Sequence, residues 1–357
     1  MSRDPLLIEA FRQPDTLARL GLADWDLLLR QAGSARLVTS LRTLLAARGL
    51  LESVPPAARI HLDWAQTLAG RHRRAVRWEV EQIRRALHGI AVQPILLKGA
   101  AYAVAGLPPA EGRMFSDIDI LVPKDKLDEV EAALMMHGWV STHTDAYDQR
   151  YYREWMHELP PMQNMKRDTL IDVHHAILPE TARARPDPAR LRAAAVAIDG
   201  DSGFKTLAPA DMVLHSATHL FYGEFEHGLR DLVDIDRLLR HFGADPGFWD
   251  GLVPRARELE LGRPLFYALR AAQRLLGTGV PENVLRDIAR DAPNPLLLAL
   301  MDWLFRHALL PAHPSIDRAG TAPARFALYI RANWLRMPPL LLARHLFHKA
   351  FISPKPA

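Results

Sequence analysis

Apolar positions recur every three to four residues through the first 90 residues, at Trp25, Leu28 and Leu29 and then at Leu37, Leu41, Leu44 and Leu45. That period predicts amphipathic helices. Pro55-Pro56 opens a further helix that runs to about His88, with Gly89 as its stop. Its centre, Arg71-His72-Arg73-Arg74, reads as a solvated basic face. The pattern then shortens. Val92-Gln93-Pro94-Ile95-Leu96-Leu97 is a brief apolar run of strand type, and Lys98-Gly99-Ala100-Ala101 turns it into a helix. Gly106-Leu107-Pro108-Pro109 and Glu111-Gly112 mark a loop. Phe115 to Val122 alternates as a strand does and is stopped by Pro123. A helix from Lys124 to about His137 ends at Gly138, and Trp139–Thr144 and Thr169–His174 read as two more strands. Residues 179–203 read as a connector with a short helix. From Ala208 the helical period returns and continues to the C-terminus, with proline breaks at 254, 281, 311 and 338. This order predicts an α+β protein. A small mixed β-sheet core, residues 91–205, lies between an N-terminal helical region, 1–90, and a C-terminal helical domain, 206–357.

The strand Ser116-Asp117-Ile118-Asp119-Ile120-Leu121-Val122 carries the most telling chemistry. Alternation puts Ile118, Ile120 and Val122 on one face and both aspartates on the other, about 6–7 Å apart. Two carboxylates so close on a half-buried strand repel, and a divalent cation relieves the cost by taking an oxygen from each. This points to Mg²⁺, which usually shares its coordination with substrate phosphates. Asp172 is the third candidate. Ile171 and Val173 flank it on the buried side, so it shares a face with His174. An adjacent strand could bring it beside the pair, and the three acids could hold two Mg²⁺ about 3.5–4 Å apart. A lone Asp-x-Asp is otherwise most often a surface or turn pair.

Other residues extend this picture. Gly99 allows close backbone approach to a ligand, and Lys98 adds a point charge for a phosphate. The plain alternative is a strand-to-helix turn, and the spacing of a Walker loop is absent. Arg113 could hold a triphosphate, position the aspartates or sit on a solvated loop. His215 and His219 stand one helical turn apart without the glutamate of a zinc protease helix, so helix packing is the better reading. His174 and His175 are open to a structural or a site role. Arg230, Asp231 and Asp234 fit surface ion pairing or a cleft facing the core.

Composition narrows the classes. Of the 357 residues, 49% are hydrophobic and 24% charged, which suits a globular protein with a sizeable core. There is no cysteine, so disulfides, thiolate metal sites and cysteine nucleophiles are excluded. No apolar run is long enough to span a bilayer, and Met1-Ser2-Arg3-Asp4 shows no signal-peptide pattern; a cytoplasmic protein without an integral membrane segment is expected. The net charge of +4 is too small to imply nucleic-acid binding. From Arg318 onward, however, there are seven Lys or Arg and no acid, with Phe326, Tyr329, Trp334, Phe347 and Phe351 among them. Helices with arginines in water explain this, as does a surface for an anionic partner such as lipid, RNA or an acidic protein.

With these residues in view, the chain resembles the nucleotidyltransferase superfamily with the DNA polymerase β-like fold, and more narrowly the bacterial uncharacterised nucleotidyltransferase family. The resemblance rests on Ile95 to Ala101, Arg113, Ser116 to Val122, Gly138-Trp139 and Ile171 to His174, with softer similarity at Leu214-His215, His219 and Leu229 to Asp234. It implies transfer of a nucleoside monophosphate from ATP or another NTP to an acceptor, with release of pyrophosphate. Asp117, Asp119 and Asp172 then form the catalytic and Mg²⁺-binding set, with Asp172 helping to activate the acceptor hydroxyl. Lys98, Gly99, Ala100, Arg113 and Ser116 form the NTP-binding set. The superfamily usually has Gly-Gly or Gly-Ser in the phosphate turn, where this chain has Gly99-Ala100, and the loop to Asp117 is longer than in minimal members. The acceptor could be a small molecule, a peptide or protein hydroxyl, or RNA. Two alternatives stand beside transfer: a nucleotide-binding sensor or scaffold of low turnover, favoured by Ala100, and a peripheral membrane or RNA module acting through the basic tail.

Overall fold

Strands this short satisfy their backbone groups by pairing with neighbours. In the computed structural model, which describes residues 5–115, 117–143, 145–198 and 200–351, they join one mixed sheet. The strands are β1 Ile95–Leu96, β2 Asp117–Leu121, β3 Trp139–Ser141, β4 Met162–Asn164, β5 Leu170–His174, β6 Val196–Ile198 and β7 Asp201–Thr206. Their spatial order is β3-β4-β5-β2-β1-β7-β6. The pairs β2–β5 and β1–β7 are parallel and the others antiparallel. The β2–β5 register sets Asp119 beside Asp172, Asp117 beside Leu170 and Leu121 beside His174. Ser116 lies outside the described residues.

The strands differ from the sequence pattern in instructive ways. β1 keeps only two residues of the apolar run, because the helix Lys98–Val104 begins at once after Leu97. β3 stops at Ser141. Within the expected connector, the helix Pro188–Ala194 is followed by an unexpected hairpin, β6–β7. Its second strand, Asp-Ser-Gly-Phe-Lys-Thr, has Phe204 as its one large apolar residue, so no alternation announced it. β4 was hidden similarly in Met-Gln-Asn.

Helices Leu22–Ser34, Val38–Ala47 and Pro56–Ala86 follow the apolar period, burying Trp25, Leu28, Leu41, Leu45, Leu62 and Ile83. The basic run on the long helix is not uniformly solvated. His72 is half-buried, and its Nδ1 accepts the Phe115 N–H at 3.3 Å. In the C-terminal half the prolines at 281, 311 and 338 fall between helices, whereas Pro254 sits inside the helix Pro246–Glu258, where it removes one backbone donor. The two helical regions also meet each other. Arg12 Nε donates to the Leu275 carbonyl at 3.3 Å, Gln31 Nε2 to Ser315 Oγ at 3.1 Å, and Arg237 Nη2 to the Ser40 carbonyl at 3.1 Å. A single apolar cluster accordingly runs from Leu7 to Leu328.

Candidate active site

The parallel pairing of β2 and β5 builds the site. Asp119 and Asp172 are register partners, so their side chains leave the same face of neighbouring strands. His174, two residues beyond Asp172, joins that face. Ligand atoms of Asp119, Asp172 and His174 all lie within 4.8 Å of one another. Asp117 stands outside this tight group. It shares the β2 face, is half-buried, and borders a small cleft with His72, Phe115 and Thr169.

Asp119 Oδ1 receives Lys98 Nζ at 3.3 Å and His174 Nε2 at 3.0 Å. The second ring nitrogen of His174 lies 3.1 Å from Glu158 Oε2. Burial alone would raise the Asp119 carboxyl, but the Lys98 charge and the His174 hydrogen bond outweigh it and hold that carboxyl well below the usual carboxylate range. Burial likewise disfavours the Lys98 ammonium, yet Asp119, Asp117 and Glu158 together raise its pKa and keep it charged. Lys98 has φ 42°, a left-handed backbone unusual for a side chain of this size. Strain of this kind concentrates at functional sites.

Asp172 behaves oppositely. Burial first, and then the Asp119 charge, push its carboxyl up to about 7, against the opposing pull of His174. Its Oδ1 is buried and has no hydrogen-bond partner among the described residues. A buried, unsatisfied carboxylate oxygen is costly. Asp119 and Asp172 are neighbouring carboxyls, and burial sharpens the repulsion between them when both are ionised. A hard divalent cation taking oxygen from Asp172 and Asp119 fits both the orphaned atom and the repulsion.

The phosphate-turn residues have other commitments. A Cβ on Gly99 would stand 2.5 Å from Phe115 Cδ1, so this glycine is required by the ring packed against it. Ala100 is buried, and its methyl belongs to the core. Arg113 is revised most: its Nη1 donates to Asp234, which is only 3% exposed, so its charge is already engaged in a buried pair. Of the two readings open for Asp234, surface ion pairing and a position facing the core, the structure has the inward one. Arg113→Leu is expected to cost about 3–5 kcal/mol of stability, since it strands Asp234. A urea melt showing less than about 1 kcal/mol would contradict the pairing.

Two histidines of the helix Pro209–Tyr222 feel the Lys98 charge. His215 is held neutral by burial and then by the Lys98 charge. The Lys98 charge is the first cause lowering His219 to about 3, with desolvation second, although its side chain is 46% exposed. The residue that sequence reasoning missed is Glu158. It reaches the site through an isolated bridge to His174 and follows an aromatic stretch, Tyr151 to Trp155, with no strand pattern. The adjacent His157-Glu158 pair was its one visible signal.

A family model described as an uncharacterised nucleotidyltransferase matches residues 22–277, a span that includes the whole sheet and all the residues above. No curated protein and no solved structure matches the chain.

Proposed function

The chain belongs to the uncharacterised nucleotidyltransferase family, and from that premise we propose that it moves a nucleoside monophosphate from ATP or another NTP to an acceptor hydroxyl, using Mg²⁺ held by Asp119 and Asp172. The acceptor oxygen bonds to the α-phosphorus, the bond from that phosphorus to the pyrophosphate oxygen breaks, and the hydroxyl proton leaves. Mg²⁺, when bound, would neutralise phosphate charge and acidify the attacking hydroxyl. Such transfer needs positioning and charge complementarity more than a protein nucleophile, which suits a chain without cysteine.

The protein's own groups divide the remaining work. Lys98 and His174 keep Asp119 ionised and fix the oxygen they share. Asp172, raised to about 7 in the metal-free protein, would be held ionised by the cation, and in that form it can draw the acceptor proton. Asp117 adds negative charge along the same strand face. The observation that carries this reading is the register of β2 on β5, which sets a carboxyl with an unpartnered oxygen beside Asp119 in a chain of this family.

The test uses the full chain, Mg²⁺ and each NTP labelled at the α- or the γ-phosphate, with small alcohols, hydroxyl peptides and RNA as acceptors. Label should pass to an acceptor from the α-position, with equimolar pyrophosphate. Transfer of the γ-label, or NTP binding with no pyrophosphate under every acceptor, would refute nucleotidyl transfer.

A further inference from the structure

Charge is unevenly divided along the chain. Residues 295–357 hold eight Lys or Arg and two acids, a balance of +6, and the preceding residues hold 37 against 39, a balance of −2. One of the two acids, Asp302, is already engaged by Arg270 and Arg274, each at 2.7 Å. The segment forms the helices Pro295–Ala308, Thr321–Arg336 and Pro339–Phe351.

These helices leave large apolar side chains in water. Leu296, Leu300 and Trp303 line one side of the first at helical spacing, with Leu296 84% exposed. Phe326, Tyr329, Ile330 and Trp334 do the same on the second, and Leu340 on the third is 87% exposed. The first two helices pack on each other, and a Cβ on Gly320, at the start of the second, would lie 3.0 Å from the Trp303 ring. Single exposed apolar residues are ordinary, but a series on three successive helices is not. No described helix is long and apolar enough to cross a membrane.

A cavity of about 460 Å³ opens beside Trp303. Arg270, Arg274 and Arg306 line it over a floor that includes Tyr267 and Phe305. Asp302 offsets one of the three guanidinium charges. Arg331 packs behind the floor, over the Phe305 and Tyr267 rings at 5.6 and 5.7 Å, with Nη1 donating to the Phe221 carbonyl at 2.6 Å. A phosphate suits guanidinium groups so placed.

We propose that this C-terminal face docks on an anionic lipid bilayer, with the apolar stripes in the headgroup boundary and a lipid phosphate in the arginine cavity. Basic helices with an exposed apolar side bind membranes in this manner. The exposed aromatics Trp303, Phe326, Tyr329 and Trp334 could stack on bases or sit in a headgroup boundary alike. The aliphatic Leu296, Leu300, Ile330 and Leu340 beside them offer a base no stacking face and favour acyl chains. Docking is independent of the transfer chemistry at β2 and β5.

Flotation of the full chain with vesicles tests the proposal. Vesicles of phosphatidylcholine mixed with phosphatidylglycerol should carry the protein, those of phosphatidylcholine alone should not, and added salt should release it. Arg306→Gln and Arg344→Gln should each weaken the association about fivefold. The pair Phe326→Ser and Leu340→Ser should also weaken it with the melting temperature unchanged, since both positions are exposed. No flotation, equal flotation with both vesicles, or tight binding of a single-stranded RNA oligonucleotide without flotation would overturn the proposal.

Discussion

Asp119→Asn is expected to lower nucleotidyl transfer at least about a thousandfold, because it removes the charge on which the proposed cation and the two neighbouring cationic side chains converge. The same variant is expected to melt earlier at neutral pH. Asp119 is the shared acceptor of Lys98 and His174, and loss of one member of a buried pair costs about 3–5 kcal/mol. The pH dependence identifies the cause. The folded carboxyl titrates below its unfolded counterpart, so its stabilisation is present at neutral pH and lost as the pH falls below about 4. Melting curves of variant and native protein should therefore converge in acid. Activity within tenfold of native would remove Asp119 from the reaction, and a gap in melting temperature that persists unchanged in acid would remove its ion pairs from the explanation.

Asp172→Asn is expected to lower turnover about 10²–10⁴-fold, the range of a lost proton acceptor, yet to stabilise the metal-free protein. The sign follows from a carboxyl raised to about 7. Folding favours its protonated form, so the native protein has this contribution intact below about pH 4 and loses it as the pH rises through 7. An amide does not ionise. At pH 8 without metal, the variant should melt about 2 °C or more above the native protein, and the difference should shrink as the pH is lowered toward 4. Mg²⁺ should close the gap at pH 8 by stabilising the native protein alone. A variant that melts lower at pH 8, or one that keeps full turnover, would show that Asp172 serves the sheet rather than the reaction.

The two aspartates were legible for a definite reason. Alternation along Phe115 to Val122 and along Thr169 to His174 determines which side chains share a face, and edge-to-edge pairing of the two strands makes that face continuous. What alternation leaves open is which strand lies alongside and at what register, so the closeness of Asp119 to Asp172 needed the fold. Asp117 and Asp119 look equivalent in sequence. The register separates them, since Leu170 stands beside one and a carboxylate beside the other. Arg113 and Asp234 are 121 residues apart, and a pairing at that distance leaves no local trace. Gly99 was legible as a close approach, but the approaching group is the Phe115 ring. The helical regions were legible through their period, whereas β4 and β6 have three residues each, too few to show one, and β7 has Phe204 as its one large apolar residue.

The contacts that tie Arg12 to Leu275 and Gln31 to Ser315 have a consequence during synthesis. Arg12 leaves the ribosome 263 residues ahead of Leu275, whose carbonyl it binds. At ordinary elongation rates that interval is on the order of 10–50 s. Until then the amino-terminal helices lack the neighbours they share one apolar cluster with in the finished fold, so those contacts close only after most of the chain has been made.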